Sequence, residues 1–167
     1  MNTEDIAREQ LWDIIKDIKF SMFTTHGADG SMQSRPMTTQ NRCLDEDDRL
    51  WFFMSRRSES IRELERQAVV NVSYSDPGKD SYVSVSGTAR VVDDKNRLKA
   101  LWSKKAEAWF PGGVDDPDLA LVEVQISHAH YWDVTDNHLV QLYKMAKAAV
   151  TGEPPHDMTH SGEVRMR

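Results

Sequence analysis

Cysteine is almost missing from this chain: Cys43 is the only one in 167 residues. An internal disulfide and a cysteine-based zinc cluster are therefore excluded. Long apolar runs are missing as well, and Met1-Asn2-Thr3-Glu4-Asp5 carries acids where a signal peptide needs basic residues. Neither a membrane span nor a secretion signal is expected, and the cytoplasm is the expected location. Basic residues are in the minority, 21 Lys and Arg against 27 Asp and Glu, for a net charge of −6. Without an extended basic surface to neutralise phosphates, no nucleic-acid partner is expected. The eight glycines form neither a dinucleotide fingerprint nor a Walker loop, so a nucleotide would have to be held in another way.

What is present is the composition of a folded domain: 39% hydrophobic, 8% aromatic and 29% charged residues, with five Trp. A chain of this length buries roughly 70% of the surface its unfolded form exposes. No repeat or second domain is visible, and after Gly152 the composition shifts to Pro, His, Asp and Ser. The expected organisation is a single domain over residues 1–152 with a mobile tail over 153–167.

The periodicities alternate between helix and strand. Ile6, Leu11, Ile14, Ile15 and Ile18 predict an amphipathic helix over residues 4–18, capped by Asn2 or Thr3. Residues 19–26 and 31–40 predict two strands around the Gly27–Gly30 turn, with Pro36 marking an edge, a bulge or an interruption. Leu50-Trp51-Phe52-Phe53-Met54 predicts a strand buried on both faces, and Ser60-Ile61-Arg62-Glu63 has the form of a capping box before a short helix. Strands are expected over 69–75 and 81–92. The second alternates Val83, Val85, Ala89 and Val91 with Tyr82, Ser84, Ser86 and Thr88. A helix capped by Asp93 or Asp94 should carry Leu98, Leu101, Trp102 and Ala106. Strands over 119–127 and 130–134 and a helix over 137–150, with Leu139, Leu142, Tyr143 and Ala146 on one face, complete the pattern.

The stretch from Ser34 to Ser60 concentrates the chemistry. A proline-interrupted strand, an acidic turn and an apolar strand lead into Ser55-Arg56-Arg57-Ser58-Glu59-Ser60. Hydroxyls and guanidiniums stand where a strand hands over to a helix, and a helix start offers free N–H groups to an anion. The plainer reading is a capping serine with solvated arginines. Metal sites have little support: His128 and His130 with Asp133 sit on a strand, and His156 and His160 in the Pro-rich segment. No serine or cysteine has a nucleophile elbow. Trp102, Trp109 and Trp132 read as core or interface residues, with Trp132 a candidate to border a flat ligand.

Taken in order, Ser34-Arg35-Pro36-Met37, Leu50 to Ser60, Phe110 to Pro117 and Tyr131-Trp132-Asp133 resemble the flavin-binding split-barrel proteins related to pyridoxamine 5′-phosphate oxidase, most of all the bacterial general stress protein branch. The resemblance implies a mainly β (α+β) fold, a six-stranded antiparallel split β-barrel with flanking α-helices. It further implies a homodimer with FMN in two clefts between the subunits; FAD, a deazaflavin or haem are the alternative ligands. It places Ser34, Arg35, Pro36 and Met37 along the flavin and Phe53, Met54 and Ser55 on the neighbouring strand. Ser58 and Ser60 fall at the phosphate, with Arg35, Arg56 or Arg57 available to compensate its charge, and Tyr82 and Val83 come from the other subunit. Trp132 closes over the ring. The chain departs from the family pattern at Ser58-Glu59-Ser60, where the family has Ser-Arg-Lys, at Gln40 in place of a lysine, and in lacking an Arg-x-His clamp after Trp132. The implied activity is an FMN-dependent oxidoreductase that does not act on pyridoxamine 5′-phosphate, or else a passive flavin store or redox sensor. No metal is expected.

Overall fold

The computed structural model describes residues 3–134, 138–154 and 160–166. Helix α1 (Thr3–Ile15) turns Leu11 and Ile15 inward, with Ile14 and Ile18 packed on the same core. It ends three residues before Ile18, and Ile6 stands 51% exposed instead of joining the buried face. Asn2, one of the two expected caps, lies outside the described residues. Arg8 fastens α1 to the acidic turn, its Nε donating to Asp48 Oδ1 over 2.6 Å.

Among the described residues seven strands follow: β1 (Ser21–His26), β2 (Met32–Met37), β3 (Arg49–Ser55), β4 (Val69–Asp76), β5 (Ser81–Val92), β6 (Leu119–Asp133) and β7 (His160–Arg165). Helix α2 (Glu59–Arg66) links β3 to β4, α3 (Lys95–Leu101) follows β5, and α4 (His138–Thr151) lies between β6 and β7. The sheet order is β2-β1-β4-β5-β6-β3, every pairing antiparallel, with β7 beside β6. The chain just beyond β2 returns to β3 through a single bridge, Thr39 to Phe52. Gln40 N–H donates to Trp51 O over 2.8 Å beside it. Six strands thus curl into a split β-barrel of α+β type, its seam running between β2 and β3.

Two cores explain the wholly apolar third strand. Leu50, Phe52 and Met54 point into the barrel, while Trp51 and Phe53 pack outside it with Leu98, Leu101, Phe110, Leu119 and Leu121. Helix α3, capped by the Asp94 carboxylate accepting from Arg97 N–H, is shorter than expected, and a 3₁₀ turn over Lys104–Ala108 takes up the rest of the predicted helix.

Two expectations are corrected. The predicted strands over 119–127 and 130–134 are one strand of 15 residues. It stays unbroken because both its edges are used: β5 runs along one, and β3 and then β7 run along the other. A bulge at Ser86/Gly87 takes up the misfit of two long partners. A Cβ on Gly87 would lie 2.2 Å from Gln125 O, so only glycine fits there. The second correction concerns the segment expected to be a mobile tail, where residues 160–165 form β7. Val164 is buried, and Gly162 leaves room for the Tyr131 ring, whose hydroxyl reaches Gln10 Oε1 of α1 at 3.3 Å. On α4, Tyr143 is 68% exposed, so the face predicted to be apolar is open there.

Candidate functional site

The seam brings three elements to one place. Strand β2 is an edge, paired only with β1 until Thr39, which is where a proline is tolerated. The edge reading of Pro36 is therefore the one the fold adopts. Strand β3 ends at Ser55 and turns at once into α2, Ser58 N–H donating to Ser55 O over 3.0 Å. The cap of α2 is Ser58, its hydroxyl accepting from Ile61 N–H at 3.4 Å. Ser60, expected to be that cap, is instead buried within the first turn.

Arg35 crosses from β2 toward α2 and is held on several sides. Its Nη1 donates to Thr25 Oγ1 at 3.0 Å and to Glu63 Oε2 at 3.3 Å, and its Nη2 to Glu63 Oε1 at 3.0 Å. A second acid, Glu59, lies 3.7 Å from the same Nη2. Glu63 is only 3% exposed at its side chain and also accepts from Thr25 at 2.5 Å. The Arg35 guanidinium, then the Thr25 hydroxyl, hold its carboxyl below the usual carboxylate range.

A second pair anchors the other side of the turn. Asp118, at the start of β6, accepts from Arg57 Nε at 3.2 Å, and its main-chain oxygen accepts from Arg56 N–H at 2.7 Å. The Ser55 hydroxyl, then Arg57, keep the Asp118 carboxyl ionised to lower pH than usual. The Arg56 side chain is exposed.

Of the expected site residues, Ser34, Arg35, Pro36 and Met37 lie on β2 and Ser55, Arg56, Ser58 and Ser60 at the turn from β3 into α2, the two stretches being linked by the ion pairs of Arg35 with Glu59 and Glu63. Met54 and Ser60 turn their side chains inward, at 2% exposure each, so any part they take in a site is through the backbone. Phe53 stacks obliquely on Trp102, ring centres 5.7 Å apart. Tyr82, Val83 and Trp132 lie elsewhere. Tyr82 and Trp132 are directly paired and exposed on the outer face of the sheet, while Val83 is buried in the barrel. Three strand spacings, about 14 Å, separate β5 from β2 along the sheet. One chain does not bring the two groups together.

Sequence reasoning missed Thr25, Glu63 and Asp118. The available signal at Glu63 is an acid among the buried residues Ser60, Ile61 and Leu64 of a short helix. At His128 and His130 the outer face is shared, but Asp133 bonds inward to Ser81 at 2.5 Å. Among the described residues no cluster of three metal-ligating side chains forms, and no helix is long and apolar enough to cross a membrane.

The fold has counterparts among known proteins. General stress protein 26 of Bacillus subtilis is 30% identical over 128 residues, covering 75% of this chain and 86% of that protein. A solved structure from Jannaschia sp. CCS1, described as a general stress protein 26, superposes with a TM-score of 0.73 at 27% identity, over 97% of this chain and 99% of the other. The general stress FMN/FAD binding protein of Xanthomonas citri gives a TM-score of 0.67 at 30% identity, over 80% and 92%. Residues 6–156 match the model of the family described as pyridoxamine 5′-phosphate oxidase like. With most of its length matched in sequence and its barrel matched in space, the chain belongs to the pyridoxamine 5′-phosphate oxidase-like family.

Proposed function

We propose that this general stress type protein binds FMN against the β2–β3–α2 seam and acts as a flavin-dependent oxidoreductase. The observation that carries this reading is the seam itself. An edge strand with an unpaired backbone side meets two hydroxyls and the open start of a capped helix. Main-chain groups of residues 34–37 suit the polar edge of a flat heteroaromatic ring. Ser55, Ser58, the Arg56 guanidinium and the first N–H groups of α2 suit a phosphate. The residues present therefore fit a phosphorylated flavin in kind, and the flavin-binding relative from Xanthomonas citri supports the same choice. When bound, the flavin supplies the electron or hydride transfer, while this chain's residues position it and shield it.

The second group of residues asks for a second copy. Met22, Met32, Val69, Tyr82 and Trp132 are all at least 38% exposed on the sheet or its rim, an apolar surface suited to self-association. In the proposed homodimer, Tyr82, the backbone at Val83, and Trp132 of one copy complete the seam of the other. The test is direct: the visible spectrum of the purified protein, its mass in solution, and its melting temperature with added FMN. A bound flavin must stabilise the fold by mass action. Colourless protein whose melting point ignores FMN overturns the reading. Mass spectrometry of the released cofactor separates FMN from FAD and a deazaflavin.

One observation favours a passive flavin store or redox sensor as the second reading. The carboxyls of Glu63 and Asp118 at the seam are held below the usual carboxylate range by hydrogen bonds from Arg35 and Ser55 and by further donors, which leaves neither poised as a proton donor. Anaerobic mixing with NADH or NADPH separates the two: rapid bleaching of the flavin means turnover, and an unchanged spectrum means storage.

A further inference from the structure

An arginine offers five N–H donors, and three hydrogen bonds to Thr25 and Glu63 already occupy three of those of Arg35. Glu63 cannot release it, because that carboxylate is buried and would be left without a counter-charge. Glu59 differs in every respect. It stands on the first turn of α2 with 71% of its side chain exposed, 3.7 Å from Arg35 Nη2, and solvent can take it up at little cost. Arg35 itself remains 26% exposed, so a ligand can reach it from the rim. Two carboxylates share the one guanidinium, which weakens its attraction for a phosphate.

We infer that Glu59 is an exchangeable counter-ion of Arg35 which an incoming phosphate must displace, so that Glu59 lowers the affinity of the seam for phosphate-bearing ligands and leaves that for the same ring system without phosphate unchanged. Glu63 is the fixed counter-ion and Glu59 the movable one. The inference rests on the flavin reading for its ring system, but its electrostatic content concerns any phosphate at this corner. Glu59 is thereby a specificity-determining residue and takes no part in the chemistry.

The test compares the full-length protein with Glu59→Gln, which keeps the size and removes the charge. Dissociation constants for FMN and riboflavin are measured by quenching of flavin fluorescence. Thermal stabilisation by inorganic phosphate is followed in parallel. The expected result is FMN affinity raised about two- to fivefold, the worth of an exposed ion pair, riboflavin affinity unchanged, and stronger protection by phosphate. Glu59→Lys should move FMN further in the same direction. An FMN-to-riboflavin ratio equal in wild type and variant overturns the role of Glu59 while leaving flavin binding intact. Failure of both flavins to bind, with phosphate protection still enhanced in the variant, upholds the counter-ion and overturns the flavin reading. If neither flavin binds and phosphate acts equally on both proteins, both ideas fall.

Discussion

Glu63→Gln is the substitution through which the seam can be weighed. Its carboxylate is 3% exposed and accepts three hydrogen bonds, two from Arg35 and one from Thr25. Glutamine preserves the shape but turns one acceptor into a donor facing donors. Removing one partner of a buried ion pair costs about 3–5 kcal/mol. Since Arg35 keeps 26% of its side-chain exposure and can recover some hydration, about 2–4 kcal/mol is expected here. For a chain of this length that is a fall in melting temperature of roughly 5–12 °C, measured by calorimetry at pH 7. The pH dependence carries the sign. The folded protein holds the Glu63 pKa below its ordinary value of 4.5. The pair therefore stabilises at all pH above that value, and its contribution drains away as pH falls through the folded-state pKa. The gap between wild type and variant should be widest at neutral pH and close in acid. A gap under about 0.5 kcal/mol, the scale of an ordinary surface substitution, or one independent of pH, refutes the view that Glu63 is the fixed counter-ion.

Other outcomes can be stated briefly. Gly87→Ala would place a Cβ 2.2 Å from Gln125 O, so equilibrium denaturation should show a loss of about 1–3 kcal/mol or more. The Tyr74 hydroxyl, 2.5 Å from Thr39 Oγ1, ties the barrel interior to the strand that closes the seam. Tyr74→Phe should cost about 1–2 kcal/mol in the same assay. Burial pushes the Tyr74 phenol up to about 12 from 10.0. The unfolded chain thus loses that proton first, and wild-type stability should fall between pH 10 and 12 with a slope the Phe variant lacks. Truncation before β7 should lower the melting temperature and speed hydrogen exchange at residues 128–133, which pair with it. Unchanged exchange there would mean that β7 adds no protection.

How much was legible in the sequence depended on the range of the interactions involved. The missing N–H of Pro36 narrowed its place to an edge, a bulge or an interruption, of which the fold adopts the edge, and the two-sided burial of Leu50–Met54 followed from an unbroken apolar run. The outward row Tyr82, Ser84, Ser86 and Thr88 followed from strict alternation. Boundaries were less visible. The sequence pattern puts the α2 cap at Ser60, whereas Ser58, whose N–H bonds back to Ser55 at the end of β3, takes that place two residues earlier. The continuity of β6 at His128 depends on Ser86, 42 residues upstream, and Arg165, 37 downstream, which no local pattern records.

The sequence by itself determined which elements exist and which of their faces are apolar, because periodicity and turn chemistry act over a few residues. Its order of motifs also pointed to the family. Only the tertiary structure decided what Arg35 does. Read along the chain, it is a cation free for a phosphate; in space, Glu63, 28 residues away, neutralises it in a buried pair, with Glu59 beside it. Charge pairing depends on distance in space, which sequence separation does not encode. For the same reason β7, written in residues that look like a tail, becomes structure only when the second half of β6 offers it an unpaired edge.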